Sequence, residues 1–152
     1  MELTQKETSL LKDMKEQEQV CVEKYSKYAS DACDGQLKTL FTQLGQTEQQ
    51  HLNTINQIMS GTVPAMQSGN NQQQQNITPS YTASGSDQNK QKDSYLCNDA
   101  LSTEKHVSSV YDTGIFEFKD PNIRNTLNHI QKEEQQHGEK IYNYMAQNGM
   151  YN

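Results

Sequence analysis

The chain has 152 residues, a formal net charge of −6 and an apolar content of 32%, a length and balance suited to one modest domain with a real core rather than to two. Its mean hydropathy is −1.01, and no apolar run approaches the ~20 residues of a membrane-spanning helix, which excludes a transmembrane helix. Thirteen Lys and Arg are scattered among nineteen Asp and Glu, leaving no basic cluster that could neutralise a row of phosphates, so nucleic acid is not an expected partner.

The opening residues, Met1-Glu2-Leu3-Thr4-Gln5-Lys6-Glu7, lack the charged-then-apolar layout of a secretory signal. The expectation is a chain without a signal peptide, made and kept on the cytoplasmic side. Within that stretch Thr4-Gln5-Lys6-Glu7 has the form of a capping box, which starts the first helix near residue 4. Behind it Leu10, Leu11, Met14, Val22, Tyr25, Tyr28, Ala29 and Ala32 recur at helical spacing. The first helix is predicted over 4–32. Asp34-Gly35 breaks the pattern, and Leu37, Leu40, Phe41, Leu44, Leu52, Ile55 and Met59 form the next stripe over 35–59, ended by Ser60-Gly61.

Composition then shifts. Residues 60–91 are rich in Gly, Ser, Asn and Thr and contain the run Gln72-Gln73-Gln74-Gln75. Such a segment buries too little apolar surface to offset its ordering entropy, and it reads as a mobile surface crossing. Beyond it Leu96, Leu101, Val107, Val110, Tyr111, Ile115 and Phe118 predict a helix over 90–118. Asp120-Pro121 supplies a cap and a first helical residue for a fourth helix over 121–147, carried by Ile123, Leu127, Ile130, Ile141 and Met145 and closed by Asn148-Gly149. The predicted architecture is all-α: a single domain over 1–152, a four-helix bundle made of hairpins 4–59 and 92–147 joined by the long linker 60–91.

The two hairpins repeat one another at an offset of 86 residues. Leu10 aligns with Leu96, Asp13 with Asp99, Glu18 with Glu104, Tyr25 with Tyr111, Asp34 with Asp120, Ile55 with Ile141 and Met59 with Met145. One block is identical: Glu48-Gln49-Gln50-His51 recurs as Glu134-Gln135-Gln136-His137, each 30 residues after Glu18 or Glu104. Glu18 stands 16 residues before Asp34 and Glu48 stands 14 after it. With a tight turn between antiparallel helices and a rise of ~1.5 Å per residue, both carboxylates fall at nearly one height along the bundle. His51 and His137 follow Glu48 and Glu134 at i+3, on the same apolar helix face.

Four carboxylates at one level inside a bundle repel one another and are costly to desolvate unless protonated or neutralised by cations. Two divalent ions bridged by carboxylates, each with one imidazole, suit the oxygen-plus-nitrogen preference of iron or manganese better than a zinc or calcium site. A Glu from each of two helices with Glu-x-x-His from each of the other two is a recurrent arrangement in bundles that hold two such ions. Cys21, Cys33 and Cys97 are odd in number and wide apart, and they form neither a disulfide framework nor a zinc pattern.

At these residues the chain resembles the ferritin-like superfamily, in particular rubrerythrin-type and related di-iron or di-manganese bundles. The resemblance covers the four helices and not the linker. It implies Glu18, Glu48, His51, Glu104, Glu134 and His137 as ligands of two Fe or Mn ions, with Glu48 and Glu134 bridging or chelating and Glu18 and Glu104 terminal. The chain departs from rubrerythrin in lacking a Cys-x-x-Cys module and in carrying Val107 where an additional Glu can stand. The second half, from Leu96-Cys97-Asn98-Asp99-Ala100-Leu101 through Asp120-Pro121-Asn122-Ile123-Arg124 to Tyr142-Asn143-Tyr144-Met145 and Asn148-Gly149-Met150-Tyr151, is similar to the coat F family of bacterial spore coat proteins. That similarity implies a place in the spore coat or the mother-cell cytoplasm and other coat proteins as partners. A homo-oligomer is compatible with it.

Two functional readings follow. One is a coat-related protein with a dinuclear iron or manganese centre acting on peroxide or dioxygen. The other is a structural or interaction protein of the coat with a vestigial metal site and no catalysis. A third, iron storage, needs a hollow shell that nothing in the sequence specifies. Tyr25 and Tyr111, seven residues after their Glu, are candidate hydrogen-bond partners of the ligands, with ordinary core aromatics as the alternative. Cys21 reads as a small buried hydrophobe. His106 and His129 have no counterpart in the other half and read as surface or helix-end residues, and Tyr142, Tyr144 and Tyr151 read as packing or terminal residues.

Overall fold

The computed structural model describes residues 1–65, 75–82, 85 and 87–151. Its elements are α1 (Gln5–Asp31), α2 (Gly35–Met59), α3 (Gln88–Glu117) and α4 (Pro121–Gln147), and the described residues contain no strand. The all-α four-helix expectation is what the structure shows. The third helix starts earlier than its apolar stripe suggests, because Asp87 caps it by accepting from the Asn89 amide at 2.8 Å.

Local chemistry sets each helix end. At the start of α1 the Glu7 amide donates to Thr4 Oγ1 at 3.1 Å while Glu7 Oε2 accepts from the Thr4 amide at 2.7 Å, the reciprocal capping box. Asp34 and Asp120 cap α2 and α4 through the Gln36 and Asn122 amides, at 3.2 and 2.7 Å. Both of these helices close on a left-handed glycine, Gly61 at φ 95° and Gly149 at φ 65°. In each case the residue after the glycine reaches back, Thr62 N to Gln57 O at 2.9 Å and Met150 N to Met145 O at 2.8 Å. That bond satisfies a helix-end carbonyl, and only a residue without Cβ adopts the turn freely.

Side chains then fix the topology. Glu7 Oε1 accepts from the Lys119 amide at 3.0 Å, which puts the α3–α4 turn at the start of α1. At the other end buried Asp93 of α3 accepts from the amides of Cys33 and Asp34, at 2.8 and 2.9 Å, and the Tyr144 phenol of α4 donates to Asp34 Oδ2 at 2.6 Å. Hence α3 runs antiparallel to α1, and the chain after α2 must return along the whole bundle before α3 can begin. That return is the reason for a long linker. Residues 75–82 lie against the α1–α2 turn end: Asn148 Oδ1 accepts from the amides of Ser80 and Tyr81 at 2.8 and 3.1 Å, and the Tyr81 phenol donates to Asp93 at 2.7 Å. This part of the linker is therefore bonded to the bundle at Ser80 and Tyr81 while most of its residues stay exposed, because Asn148 and Asp93 offer buried acceptors that no periodicity reveals. The expectation for residues 66–74, 83, 84 and 86 of the segment, including Gln72, Gln73 and Gln74, falls on residues outside those described, and its last residues, from Gln88, belong to α3.

The helices pack as α1 against α2 and α3, and α4 against α3 and α2. At Gly45 α2 lies close against α1: a Cβ there would stand 3.2 Å from Tyr25 Cβ. The core falls into two apolar clusters. One, around Tyr25, Phe41, Leu44, Leu96 and Tyr144, fills the α1–α2 turn end. The other, around Leu11, Met14, Ile55, Tyr111 and Leu127, fills the opposite end. Between them lies a layer of buried polar side chains. Among the described residues no helix is long and apolar enough to cross a membrane.

Candidate metal centre

The six residues singled out by the repeat meet in that layer. Glu18 (α1), Glu48 and His51 (α2), Glu104 (α3), and Glu134 and His137 (α4) are each no more than 3% exposed. They form two groups of four, Glu18, Glu48, His51 and Glu134, and Glu48, Glu104, Glu134 and His137, in each of which the donor atoms lie within 4.8 Å of one another. The groups share Glu48 and Glu134. This follows from the sequence geometry: equal distances from each turn put the carboxylates at one height, and i+3 spacing turns each imidazole to the same face.

The internal contacts carry the same near-symmetry. His51 Nδ1 lies 2.9 Å from Glu134 Oε1 and 3.2 Å from Glu48 Oε2, while His137 Nδ1 lies 2.9 Å from Glu48 Oε1 and 3.3 Å from Glu104 Oε1. The two rings stack with centroids 5.9 Å apart. Each tyrosine crosses to the other hairpin. The Tyr111 phenol donates to Glu18 Oε1 at 2.6 Å, and the Tyr25 phenol donates to Glu104 Oε1.

Burial raises Glu18 and Glu134 well above the usual carboxylate range, helped by the neighbouring Glu48 and Glu104 respectively. Burial also acts to raise Glu48, but hydrogen bonds from His137 and His51 outweigh it and hold Glu48 well below that range. Burial by itself would lower His51. The hydrogen bonds to Glu133 and Glu48 and the charges of Glu18 and Glu48 prevail and push it up to about 10. His137 is raised against its own burial by Glu104 and Glu48. In the protein alone, protons thus sit where cations could. Three carboxylate oxygens, Glu18 Oε2, Glu104 Oε2 and Glu134 Oε2, are buried with no hydrogen-bond partner among the described residues. Desolvated acceptors of this kind are costly, and a bound cation would satisfy them. The cluster could hold a metal ion.

Sequence reasoning missed Glu133. Its Oε1 lies 3.2 Å from His51 Nε2 and 2.9 Å from His129 Nε2, so it orients the His51 ring from behind and links it to the surface. The signal was present as a break in the repeat: the residue before Glu134 is an acid, whereas the residue before Glu48 is Thr47. His129, expected as a surface or helix-end residue, is half-buried and tied to the centre through Glu133. His106 is exposed. Cys21 is fully buried in the apolar cluster beside the layer, and burial, with the charges of Glu48 and Glu18, pushes its thiol up, which leaves it inert. Tyr144 is buried as a packing residue, and Tyr142 and Tyr151 meet edge to face at 4.9 Å on the surface.

In the comparison with known families, residues 92–152 fit the family model described as the Coat F domain. This stretch takes in nearly all of α3 and all of α4, with Glu104, Glu134 and His137. No curated protein and no solved structure matches the chain.

Proposed function

We propose that this chain is a spore-coat-related protein of the ferritin-like type that binds two divalent iron or manganese ions. Glu48 and Glu134 would bridge them, Glu18 and His51 would complete one site, and Glu104 and His137 the other. The observation that carries this reading is the pair of four-residue donor groups sharing Glu48 and Glu134. The three carboxylate oxygens without a hydrogen-bond partner among the described residues support it, because the nearest imidazoles stand 3.8 Å from Glu18 Oε2 and Glu134 Oε2, beyond hydrogen-bond distance. The Coat F match over 92–152 supports the place in the coat. Bound there, such ions would supply redox chemistry toward dioxygen or peroxide.

What the chain contributes is geometry and dryness. The apolar clusters on either side keep bulk water from the layer and strengthen every charge interaction inside it. Tyr25 and Tyr111 hold one oxygen of each terminal carboxylate, leaving the other oxygen free for an ion. Glu133 keeps the Nδ1 of His51 turned inward by binding Nε2.

A second reading has its own support. His51 and His137 already pair with the carboxylates at 2.9 Å, so the layer could remain as structure in a coat protein without catalysis. Metal stoichiometry by plasma mass spectrometry, on protein purified without chelator and after anaerobic loading with iron or manganese, separates the two. About two ions per chain, lost in Glu48→Ala, are expected for the dinuclear centre. No tightly held metal under either condition leaves the structural coat protein.

A further inference from the structure

The seam between α1 and α3 is built from unlike parts. The cross-bonds of Tyr111 to Glu18 and of Tyr25 to Glu104 set its register. One turn beyond Glu18 and Tyr111, Met14 stands opposite Gly114: a Cβ on that glycine would lie 2.1 Å from Met14 Cε. One turn beyond Tyr25 and Glu104, Tyr28 stands opposite Ala100. The Tyr28 phenol donates to Asp99, the residue before Ala100, and Tyr28 and Ala100 belong to one apolar cluster. All four residues are buried.

The 86-residue repeat makes these two contacts counterparts of one another, since Met14 aligns with Ala100 and Tyr28 with Gly114. Both large side chains therefore lie on the first hairpin and both small ones on the second. The polar layer does not distinguish the hairpins, because Glu18, Tyr25, Glu48 and His51 each recur in the second half. Size does. Two first hairpins paired in this register would set Met14 against Tyr28 twice, bulk on bulk. Two second hairpins would set Ala100 against Gly114 twice and leave two voids. A close-packed interior is destabilised by either. Gly114 has ordinary helical backbone, where glycine is the poorest helix former after proline, so the side chain seated on it is the reason for a glycine.

We propose that the α1–α3 seam is a pairing surface whose partner is fixed by size: a second hairpin accepts a first hairpin, from its own chain or from another copy, and rejects a second copy of itself. The buried layer is then always built from one hairpin of each type. This has a consequence for the ions that rests on the metal reading given above. Glu133 stands behind His51 alone, with Thr47 at the counterpart position, so pairing of unlike hairpins makes the two ion sites unlike. Two second hairpins would carry two such supports and two first hairpins none.

Two measurements on metal-free protein test the pairing. In the intact chain, helix propensity alone predicts that Gly114→Leu raises stability. The Met14 methyl, at the end of a flexible side chain, can turn aside for one carbon but not for a branched side chain, so the seam predicts a lower Tm. Adding Met14→Ala is expected to recover most of that loss. A Tm that does not fall in Gly114→Leu, or no recovery in the double variant, would overturn the proposal.

The second measurement reads partner choice directly. A protease site is inserted between Gln72 and Gln73 of the full chain, the folded protein is cleaved, and an isotope-labelled and an unlabelled copy are mixed in denaturant and refolded together. Native mass spectrometry is expected to find pairs of one first and one second hairpin with the labels shuffled. Self-pairs are expected at about 1% or less, since about tenfold or more is lost at each of two mismatched places. Self-pairs as abundant as mixed ones, or no pairing at all, would overturn the proposal whatever the metal content. Pairing of unlike hairpins in a protein that takes up no metal would overturn the dinuclear reading and leave the pairing surface standing.

Discussion

Tyr111 on α3 donates its phenol hydrogen to Glu18 on α1 at 2.6 Å, although Glu18's own helix carries an equivalent phenol at Tyr25. Tyr25 donates instead to Glu104. The two hairpins are cross-bonded through the buried layer, so each hydroxyl joins packing between hairpins to the orientation of a candidate ligand. Replacing Tyr111 by Phe leaves both oxygens of Glu18 without a donor, since Oε2 has none already. An unpaired buried acceptor costs about 1–3 kcal/mol, and each kcal/mol lowers Tm by roughly 2–4 °C in a chain of this size. Calorimetry on metal-free protein should show that loss, and an unchanged Tm would rule out the cross-bond.

The buried imidazoles make stability depend on pH in a stated direction. His51 is raised from 6.5 to about 10, and His137 is raised as well, so the folded state binds their protons more tightly than the unfolded state. Their contribution is complete below pH about 6.5 and is lost as pH rises toward about 10. Glu18 and Glu134, raised from 4.5, act in the same sense, losing their contribution as pH climbs through their higher folded values. Glu48, lowered from 4.5, acts oppositely and matters only on acidification. The Tm of metal-free protein should therefore fall between pH 6.5 and 10, and metal binding, which displaces these protons, should strengthen over that range. A Tm that rises across the range would contradict the charge assignment.

Glu133 sits behind one imidazole only. Glu133→Thr, the residue found at the counterpart position Thr47, removes the partner of His51 Nε2 and leaves His137 untouched. Loss of such a supporting bond typically weakens metal binding about 10–100-fold. A metal titration should show one of the two ions weakened and the other unaffected. His106→Ala, at an exposed position, should change neither ion.

Asp93 anchors the far end of the bundle. It is fully buried and accepts from the Cys33 and Asp34 amides and the Tyr81 phenol. Asp93→Ala leaves three donors without that acceptor, and with about 1–3 kcal/mol for each donor that water cannot reach, a loss of about 3 kcal/mol is expected in denaturant unfolding. Metal content should not change, because an apolar cluster separates Asp93 from the carboxylate layer. A parallel loss of metal would show that the end and the centre are coupled.

Helix periodicity, capping residues and the 86-residue repeat are local or self-referential properties, and they determined the helices, the hairpins and the meeting of Glu18, Glu48, His51, Glu104, Glu134 and His137 at one height. Counting residues from a turn suffices for that, because the rise per residue of a helix is constant. The tertiary structure decided what depends on lateral placement. Which glutamate each tyrosine would reach, that Glu133 closes on His51, and that Ser80 and Tyr81 bond to Asn148 and Asp93 are all contacts between elements. They rest on the packing of side chains across helices, for which periodicity along a single helix carries no signal.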